Sequence, residues 1–201
     1  PMSMAPSQLG AFAKSDDTQA TANLQYHVQP LSLEKFGDAL HTFPAFTASV
    51  SNVRPTSRGH IRIASADPLV APKITLNYLS SVEDRKVAVD AIRLTRKIVA
   101  ASALQKYDPE EYKPGVQMQT EEELIQAAGE IGTTIFHPVG TCKMGVKEDI
   151  FAVVDSKLRV FGVDKLRVTD ASVMPTITSG NTNAPTLMIA EMAAQFILDG
   201  V

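Results

Sequence analysis

The sequence predicts an α+β fold, in which an antiparallel sheet carries helices on one side. Two observations support this prediction. Segments in which polar and apolar residues alternate come first, and segments with apolar residues at helical spacing follow them. A chain that groups its strands and then its helices is typical of α+β folds, whereas alternating strands and helices would indicate a parallel sheet.

Four strands are predicted between residues 23 and 78. They alternate or are rich in β-branched residues, and Pro or Gly residues separate them. The predicted strands cover residues 23–28, 46–53, 58–64 and 73–78. Residues 1–20, by contrast, are rich in Ser, Ala, Asp and Thr and show little periodicity, so we predict a flexible arm or loop there.

Three helices are predicted after the strands, each from a start signal in the sequence. The signals are a Ser N-cap before acidic residues, a Thr–Glu capping box and a Pro at the first helical position. The predicted helices cover residues 82–102, 121–130 and 185–198. Short apolar segments between residues 153 and 168 predict further strands around a tight turn.

The composition excludes several classes of function. With 20% charged residues and a net charge of −3, the chain offers no basic surface for nucleic acid. No apolar run approaches the roughly 20 residues that span a bilayer, so no transmembrane segment is predicted. The single cysteine, Cys142, excludes an internal disulfide and a cysteine-based metal site, and it is consistent with a reducing cytoplasm.

The most informative segment is 136–145, which contains a histidine between a Phe and a Pro. Pro138 restricts its own backbone and that of the residue before it, and Gly140 permits a tight turn. His137 is therefore held rigidly, as a general acid or base requires. No His or Cys stands at ligand spacing from it, so we discount a metal site. A Ser–His–Asp triad stays open on residue types alone, although the G-x-S-x-G motif is absent.

Three other residues have both a functional and an ordinary interpretation. Asn181, before the last helix, forms either a turn and cap or a hydrogen bond to a hydroxyl or cofactor oxygen. Asp170, after a short apolar strand, either caps the following turn or contacts a ligand. His27 lies within a predicted strand and points either to solvent or inward. The chain has no P-loop and no G-x-G-x-x-G motif, so it lacks the usual phosphate-binding turn.

At these residues the sequence closely resembles the C-terminal part of the glucose–methanol–choline (GMC) oxidoreductases, and most of all their choline dehydrogenase type. The resemblance covers residues 50–199, and a weaker resemblance extends back from there to Leu24. Several motifs match in the family's order. They are Arg54–Gly59, Ala66–Pro68, Ile74–Tyr78, Phe136–Gly145, Val154–Pro175 and Gly180–Pro185.

The resemblance implies an FAD-dependent alcohol dehydrogenase or oxidase that converts a primary alcohol into an aldehyde, with hydride passing to N5 of the flavin. His137 falls on the family's catalytic histidine, the base that takes the hydroxyl proton. Asn181 falls on the second member of the family's His–His or His–Asn pair, which orients the substrate oxygen and touches the flavin. A rigid imidazole and an amide at one oxygen suit this chemistry, because the flavin accepts the electrons.

Five further residues take roles from the same resemblance. Asp170 and Ala171 match the segment that meets the ribityl–pyrophosphate part of FAD, and Thr182 lies beside the isoalloxazine. Phe136 and His27 are expected to line the substrate cavity. The cofactor and substrate sites predicted here therefore draw on residues from both ends of the chain.

The resemblance also divides the chain. Residues 1–20 are expected to be a flexible arm, 21–135 the substrate-binding domain, and 136–201 the C-terminal part of the FAD-binding domain. The N-terminal half of the family's fold, which makes most FAD contacts, is absent. We therefore expect the chain alone to lack FAD, to be inactive and to self-associate through exposed apolar surface. Its partners would be a small alcohol and that N-terminal half.

A second hypothesis is a non-catalytic binding or interaction module that has the same fold and has lost the cofactor. The presence of both His137 and Asn181 favours the enzyme, because a decayed module has no need of both polar groups. For location, we expect a cytoplasmic protein that is peripheral to the membrane if its electron acceptor is a quinone.

Overall fold

The computed structural model describes residues 7–35 and 37–200, which fold into two compact units. The first unit contains the chain up to Thr56 together with Leu79–Thr133, and the second contains Ser57–Tyr78 and the chain from Thr134 onward. The predicted division at 135/136 lies two residues from an observed one. However, we predicted a single domain over 21–135, and the structure instead groups Ser57–Tyr78 with the second unit.

The first unit is built on a three-stranded antiparallel sheet. Its strands are β1 (Leu9–Ala13), β2 (Leu24–Gln29) and β3 (Thr47–Asn52), in the order β1-β2-β3. The prediction of a flexible arm over residues 1–20 was wrong for β1. That segment lacks β-branched residues and contains a Gly, so its own propensity is weak. Each of its residues pairs with a residue of β2, and this pairing decides its conformation. Residues 1–6 lie outside the described part of the chain.

One face of this sheet packs against helix α1 (Val82–Val99). Leu24 and Tyr26 on β2 are buried against Ala91 on the helix, and Val50 on β3 completes the contact. The Tyr26 hydroxyl lies 3.1 Å from Thr95 Oγ1, and burial raises the pKa of this phenol. Because successive residues of a strand face opposite ways, the polar side chains between these apolar ones lie on the other face.

The first unit is completed by the short helix α2 (Ser102–Gln105) and by α3 (Glu121–Ile131). The predicted capping box is present, with Thr120 accepting from the Glu123 N–H and the Glu123 carboxylate accepting in return. Helix α3 packs against α1, and Leu124 is completely buried. This arrangement of antiparallel sheet and helices is the α+β fold class that the sequence predicts.

The second unit has a small sheet and a separate apolar core. Strands β4 (His60–Arg62) and β5 (Lys73–Thr75) form an antiparallel pair. Helix α4 (Asn183–Leu198) begins two residues before the predicted start at Pro185. The N–H groups of a helix's first turn have no partner within the helix, so Pro, which lacks an N–H, is tolerated anywhere in that turn. The core consists of Val154, Leu158, Val173, Met174, Ile189 and Ala193.

The predicted short strands between residues 153 and 168 are reduced to isolated bridges, Val154 with Val160 and Arg159 with Arg167. Among the helices of residues 7–35 and 37–200, none combines the length and the apolar character that a bilayer span requires.

Candidate active site

The segment that carries His137 is fixed to the core of the second unit. Cys142 N–H donates to Ser172 O at 3.0 Å, and Met144 N–H donates to Val173 O at 2.8 Å. The apolar side chains of this segment also pack on the core. The histidine loop is therefore held along residues 172 and 173, and this agrees with the rigidity that Pro138 and Gly140 predict.

The backbone beside His137 is unusual. Phe136 has a φ of +63°, in the left-handed region that residues with a side chain seldom occupy. Its N–H donates to Thr134 Oγ1 at 3.0 Å. Gly140 has a φ of +87°, as the predicted tight turn requires. The imidazole of His137, between these two bends, is half-buried.

Asn181 approaches His137 from the turn before α4, although the two residues are 44 positions apart in sequence. The Asn181 side-chain N–H donates to His137 Nε2 at 2.8 Å. Because an amide nitrogen only donates, Nε2 must accept, and the neutral imidazole carries its proton on Nδ1. Ser179, two residues earlier, has a φ of +63° and turns the chain toward this contact.

This pair can carry out two elementary tasks at one oxygen atom. The Nε2 lone pair of His137 is a proton acceptor, and the Asn181 amide is a donor that stabilises developing negative charge. Asn181 is exposed and His137 is half-buried, so a small molecule can reach both. Within the described part of the chain, no group of three or more His, Cys, Asp or Glu side chains is arranged to hold a metal ion.

Asp170 and Ala171 lie at a single turn of 3₁₀ helix, Ala171–Val173. Asp170 Oδ1 accepts from Ser172 N–H at 2.8 Å, which is the capping interaction that the sequence left open. The Asp170 side chain is nevertheless exposed, so capping leaves its second oxygen accessible to a ligand. The same Ser172 holds the histidine loop through its carbonyl, so Asp170 also supports the geometry around His137.

Thr182 is buried at the start of α4, where its side chain makes no capping hydrogen bond. Its carbonyl accepts from the backbone N–H and the hydroxyl of Thr186. The first N–H groups of α4 thus receive no side-chain cap from Thr182. Such groups, together with the helix dipole, favour a negatively charged or oxygen-rich ligand.

The two residues predicted to line the substrate cavity lie in different units. Phe136 is 61% exposed beside His137 in the second unit. His27 belongs to the first unit, on the sheet face opposite α1, with its Nε2 3.5 Å from Gln25 Nε2. Its Nδ1 is buried and has no hydrogen-bond partner among the residues that the structure describes.

Sequence reasoning missed the residues that support this pair. Thr134 stands two positions before Phe136, a spacing that favours a local hydroxyl-to-backbone hydrogen bond and was available as a signal. Lys143 and Asp149 form an ion pair at 2.7 Å at the end of the histidine loop, and this contact lowers the pKa of Asp149. Nothing in the residue type at Ser179 indicates its positive φ.

Known proteins match the chain along most of its length. A family model described as GMC oxidoreductase matches residues 55–190. The oxygen-dependent choline dehydrogenase 1 of Chromohalobacter salexigens is 42% identical over 187 residues, which are 93% of this chain and 33% of that protein. The oxygen-dependent choline dehydrogenase of Vibrio vulnificus is 44% identical over 188 residues, which are 94% of this chain and 34% of that protein. The chain therefore spans about a third of the length of these relatives.

Solved structures share the fold. The pyridoxine 4-oxidase from Mesorbium loti matches with a TM-score of 0.85 and 28% identity, over 94% of this chain and 37% of that one. An FAD-dependent oxidoreductase from Chaetomium thermophilum matches with a TM-score of 0.74 and 28% identity, over 90% of this chain and 28% of that one. The formate oxidase of Aspergillus oryzae matches with a TM-score of 0.79 and 27% identity, over 89% of this chain and 32% of that one. These matches confirm the predicted fold class.

Proposed function

The chain belongs to the GMC oxidoreductase family, and from that premise we propose that it supplies the catalytic pair of an FAD-dependent alcohol dehydrogenase or oxidase. The reaction converts a primary alcohol into an aldehyde. The observation that supports this proposal is the 2.8 Å contact between the Asn181 amide and His137 Nε2. A proton acceptor and an amide donor at this separation can both contact one hydroxyl group.

The residues of the second unit fit FAD. The uncapped first turn of α4 and the exposed Asp170 carboxylate are suited to an oxygen-rich ligand with hydroxyl groups. Asp170 and Ala171 would hold the ribityl–pyrophosphate part, and Asn181 and Thr182 would contact the flavin edge. When bound, FAD supplies the acceptor for the hydride that leaves the alcohol carbon.

The chain's own part in the reaction is to bind and deprotonate the alcohol. The Asn181 amide turns from Nε2 to the substrate oxygen and leaves the Nε2 lone pair to the substrate hydroxyl. His137 then takes the hydroxyl proton at Nε2 and becomes an imidazolium, while Asn181 stabilises the charge on the oxygen. Phe136, which is exposed beside His137, contacts the rest of the alcohol. Because the curated relatives are named for choline, choline is the first alcohol to test.

The remaining two thirds of the relatives' length would complete the enzyme. The second unit exposes large apolar side chains that a soluble surface does not need, among them Leu187, Met188 and Met192 on α4. We assign the second unit to the FAD-binding domain and the first to the substrate-binding domain. The N-terminal part then covers this apolar surface and makes most contacts with FAD. The 201 residues alone are expected to retain no flavin and to turn over no alcohol.

The test is flavin reduction in the full-length protein that contains this chain. Wild type, His137→Ala and Asn181→Ala are mixed anaerobically with choline and other primary alcohols in a stopped-flow spectrophotometer. General-base catalysis predicts a loss of about 100-fold or more for His137→Ala, and an oxygen-stabilising amide predicts a loss of about 100- to 1,000-fold for Asn181→Ala. His60→Ala, an exposed histidine of the same unit, is the matched control and keeps the wild-type rate. Unchanged flavin reduction in His137→Ala with flavin still bound would refute the assignment.

A further inference from the structure

The connection between β2 and β3 carries three polar side chains joined in one chain of hydrogen bonds. Ser32 Oγ lies 2.8 Å from His41 Nδ1, and His41 Nε2 lies 3.1 Å from Glu34 Oε1. A hydroxyl, a base within hydrogen-bond reach of it and a third group that orients the base are the arrangement that nucleophilic catalysis uses, and it is recognised by geometry rather than by sequence order. The residue types of a triad, which the sequence left open at His137, therefore meet at His41.

The backbone holds Ser32 beside His41. The His41 N–H donates to Ser32 O at 2.9 Å, and Leu33 and Leu40, one residue further along each arm, form an antiparallel bridge. The imidazole stacks on Phe43 with ring centroids 4.7 Å apart, and the His41 side chain is only 14% exposed. The ring is therefore fixed in orientation, whereas the Ser32 side chain is half-buried and open in part to a small molecule.

The charge on Glu34 selects the tautomer of His41. Glu34 accepts from the Lys113 ammonium and from the Tyr112 hydroxyl, the latter at 2.5 Å. These two bonds, that from Lys113 first, lower the pKa of Glu34 to about 2, so the carboxylate is ionised near neutral pH. Because an ionised carboxylate only accepts, His41 Nε2 must carry a proton. In the neutral ring Nδ1 then keeps its lone pair and accepts from the Ser32 hydroxyl, as a general base does.

We propose that Ser32 is a nucleophile activated by His41, and that this site cleaves small esters with a good leaving group, an activity separate from alcohol oxidation. The Ser32 oxygen attacks the ester carbonyl carbon and its proton passes to His41 Nδ1. The C–O bond to the leaving group breaks, and the leaving oxygen takes the electron pair and that proton. His41 then draws a proton from the water that attacks the acyl-serine, the carboxylic acid departs, and Ser32 regains its hydrogen.

The strength of the effect sets the class of substrate. Assistance by a general base is worth about 100- to 10,000-fold, which suffices for an activated ester. A peptide bond has a poorer leaving group and would also need donors aimed at the oxyanion. The probe is therefore p-nitrophenyl acetate.

The experiment treats the full-length protein that contains this chain with p-nitrophenyl acetate. Release of p-nitrophenolate is followed by absorbance, and mass spectrometry of acid-quenched digests gives the acetylation of each serine. Ser32 should acetylate about 100-fold faster than Ser102, an exposed serine of the same unit that has no histidine partner among the described residues. Ser32→Ala should lose the fast release and keep alcohol-dependent flavin reduction. Release that Ser32→Ala abolishes supports the proposal even if deacylation keeps the acetyl level low. Equal acetylation of the two serines, with release unchanged in Ser32→Ala, would overturn it.

Variants of the base separate activation from simple exposure of the hydroxyl. His41→Gln, whose amide takes up no proton, should slow Ser32 acetylation about 100-fold, and His60→Ala, an exposed histidine, is the matched control and leaves it unchanged. Glu34→Gln should slow it about tenfold or more, since the tautomer is no longer fixed by a charge. If His41→Gln loses its flavin, His41→Phe, which keeps an aromatic ring against Phe43, replaces it. Fast Ser32 acetylation without the imidazole would overturn the proposal.

Discussion

Arg96, in the last turn of α1, uses its whole guanidinium group to hold the 107–118 segment of the first unit. Its Nε and Nη2 each donate at 2.8 Å to one oxygen of Glu111. Its Nη1 donates to Met118 O at 2.9 Å, and Nη2 donates also to Gly115 O at 3.1 Å. The segment has little other regular structure, so replacing Arg96 with Met should release it from the helix.

The expected cost follows from the burial of the pair. The Arg96 and Glu111 side chains are 23% and 20% exposed, so water screens their attraction only in part. Removing one partner costs about 0–1 kcal/mol at an exposed pair and about 3–5 kcal/mol at a buried one, and an intermediate pair is worth about 2 kcal/mol. The two carbonyl bonds add about 1 kcal/mol between them. We therefore expect Arg96→Met to lower the free energy of unfolding by about 3 kcal/mol and Arg96→Lys, which lacks the planar fork, by about half of that.

Urea unfolding followed by circular dichroism at 222 nm measures this difference. Lys97→Met is the matched control, because it removes a cationic side chain from the exposed neighbouring position and should change stability by less than about 0.5 kcal/mol. Glu111→Gln, alone and combined with Arg96→Met, completes a double-mutant cycle that isolates the ion pair. A stability for Arg96→Met equal to that of Lys97→Met, or fully additive effects in the cycle, would refute the reasoning.

Two further predictions concern the backbone and the pH dependence of stability. A Cβ added at Gly59 would lie 2.0 Å from Thr75 O, so Gly59→Ala should open the β4–β5 pair, as amide hydrogen exchange would show. Gly129→Ala, within α3 and with open space around the added Cβ, should instead stabilise the chain by about 0.5–1 kcal/mol. Hydrogen bonds from Lys113 and then from Tyr112 lower the pKa of Glu34 to about 2 from 4.5. The folded state thus binds this proton more weakly than the unfolded state, and the resulting stabilisation is complete above pH 4.5 and is lost as the pH falls toward 2. Glu34→Gln should remove that part of the acid dependence in urea titrations between pH 5 and 2.

Each of these expectations has an outcome that contradicts it. Retained protection of the β4–β5 amides in Gly59→Ala would show that the backbone moves aside at little cost. A loss of stability in Gly129→Ala would show that the Gly serves a packing role in α3. Identical acid dependence in wild type and Glu34→Gln would show that the ion pair with Lys113 does not hold in solution.

Much of the fold could be predicted because its signals are local. Helices α1 and α3 carry their caps and apolar spacing within the segment itself, and β2 and β3 carry their alternation. Strand β1 could not be predicted, since its weak β propensity is overcome only by pairing with β2. The side of the sheet that α1 covers was equally hidden. Period-two alternation separates Tyr26 from His27 but does not say which of them meets the helix.

The candidate site divides in the same way. The rigidity of the His137 loop follows from Pro138 and Gly140, whose backbone limits are intrinsic to the residue type. The pairing of Asn181 with His137 was predicted from the family resemblance alone. No spacing rule predicts it, because the packing of the core decides which residues meet across 44 positions of sequence. The left-handed conformations of Phe136 and Ser179 could not be predicted from the sequence, since neither residue type favours a positive φ.

The three-stranded sheet of the first unit has a consequence for handling the chain. Strands β1 and β3 each pair only with β2 within the described residues, so both outer edges lack a neighbouring strand. An open edge is a template on which the strand of another molecule can continue the hydrogen-bond ladder. Strand β3 carries mainly Thr, Ser and Asn, which makes it a poor seed for a dry cross-β stack. Strand β1, with Leu9 and Phe12 exposed, has no such protection, and charged substitutions there are the first choice for limiting aggregation during purification.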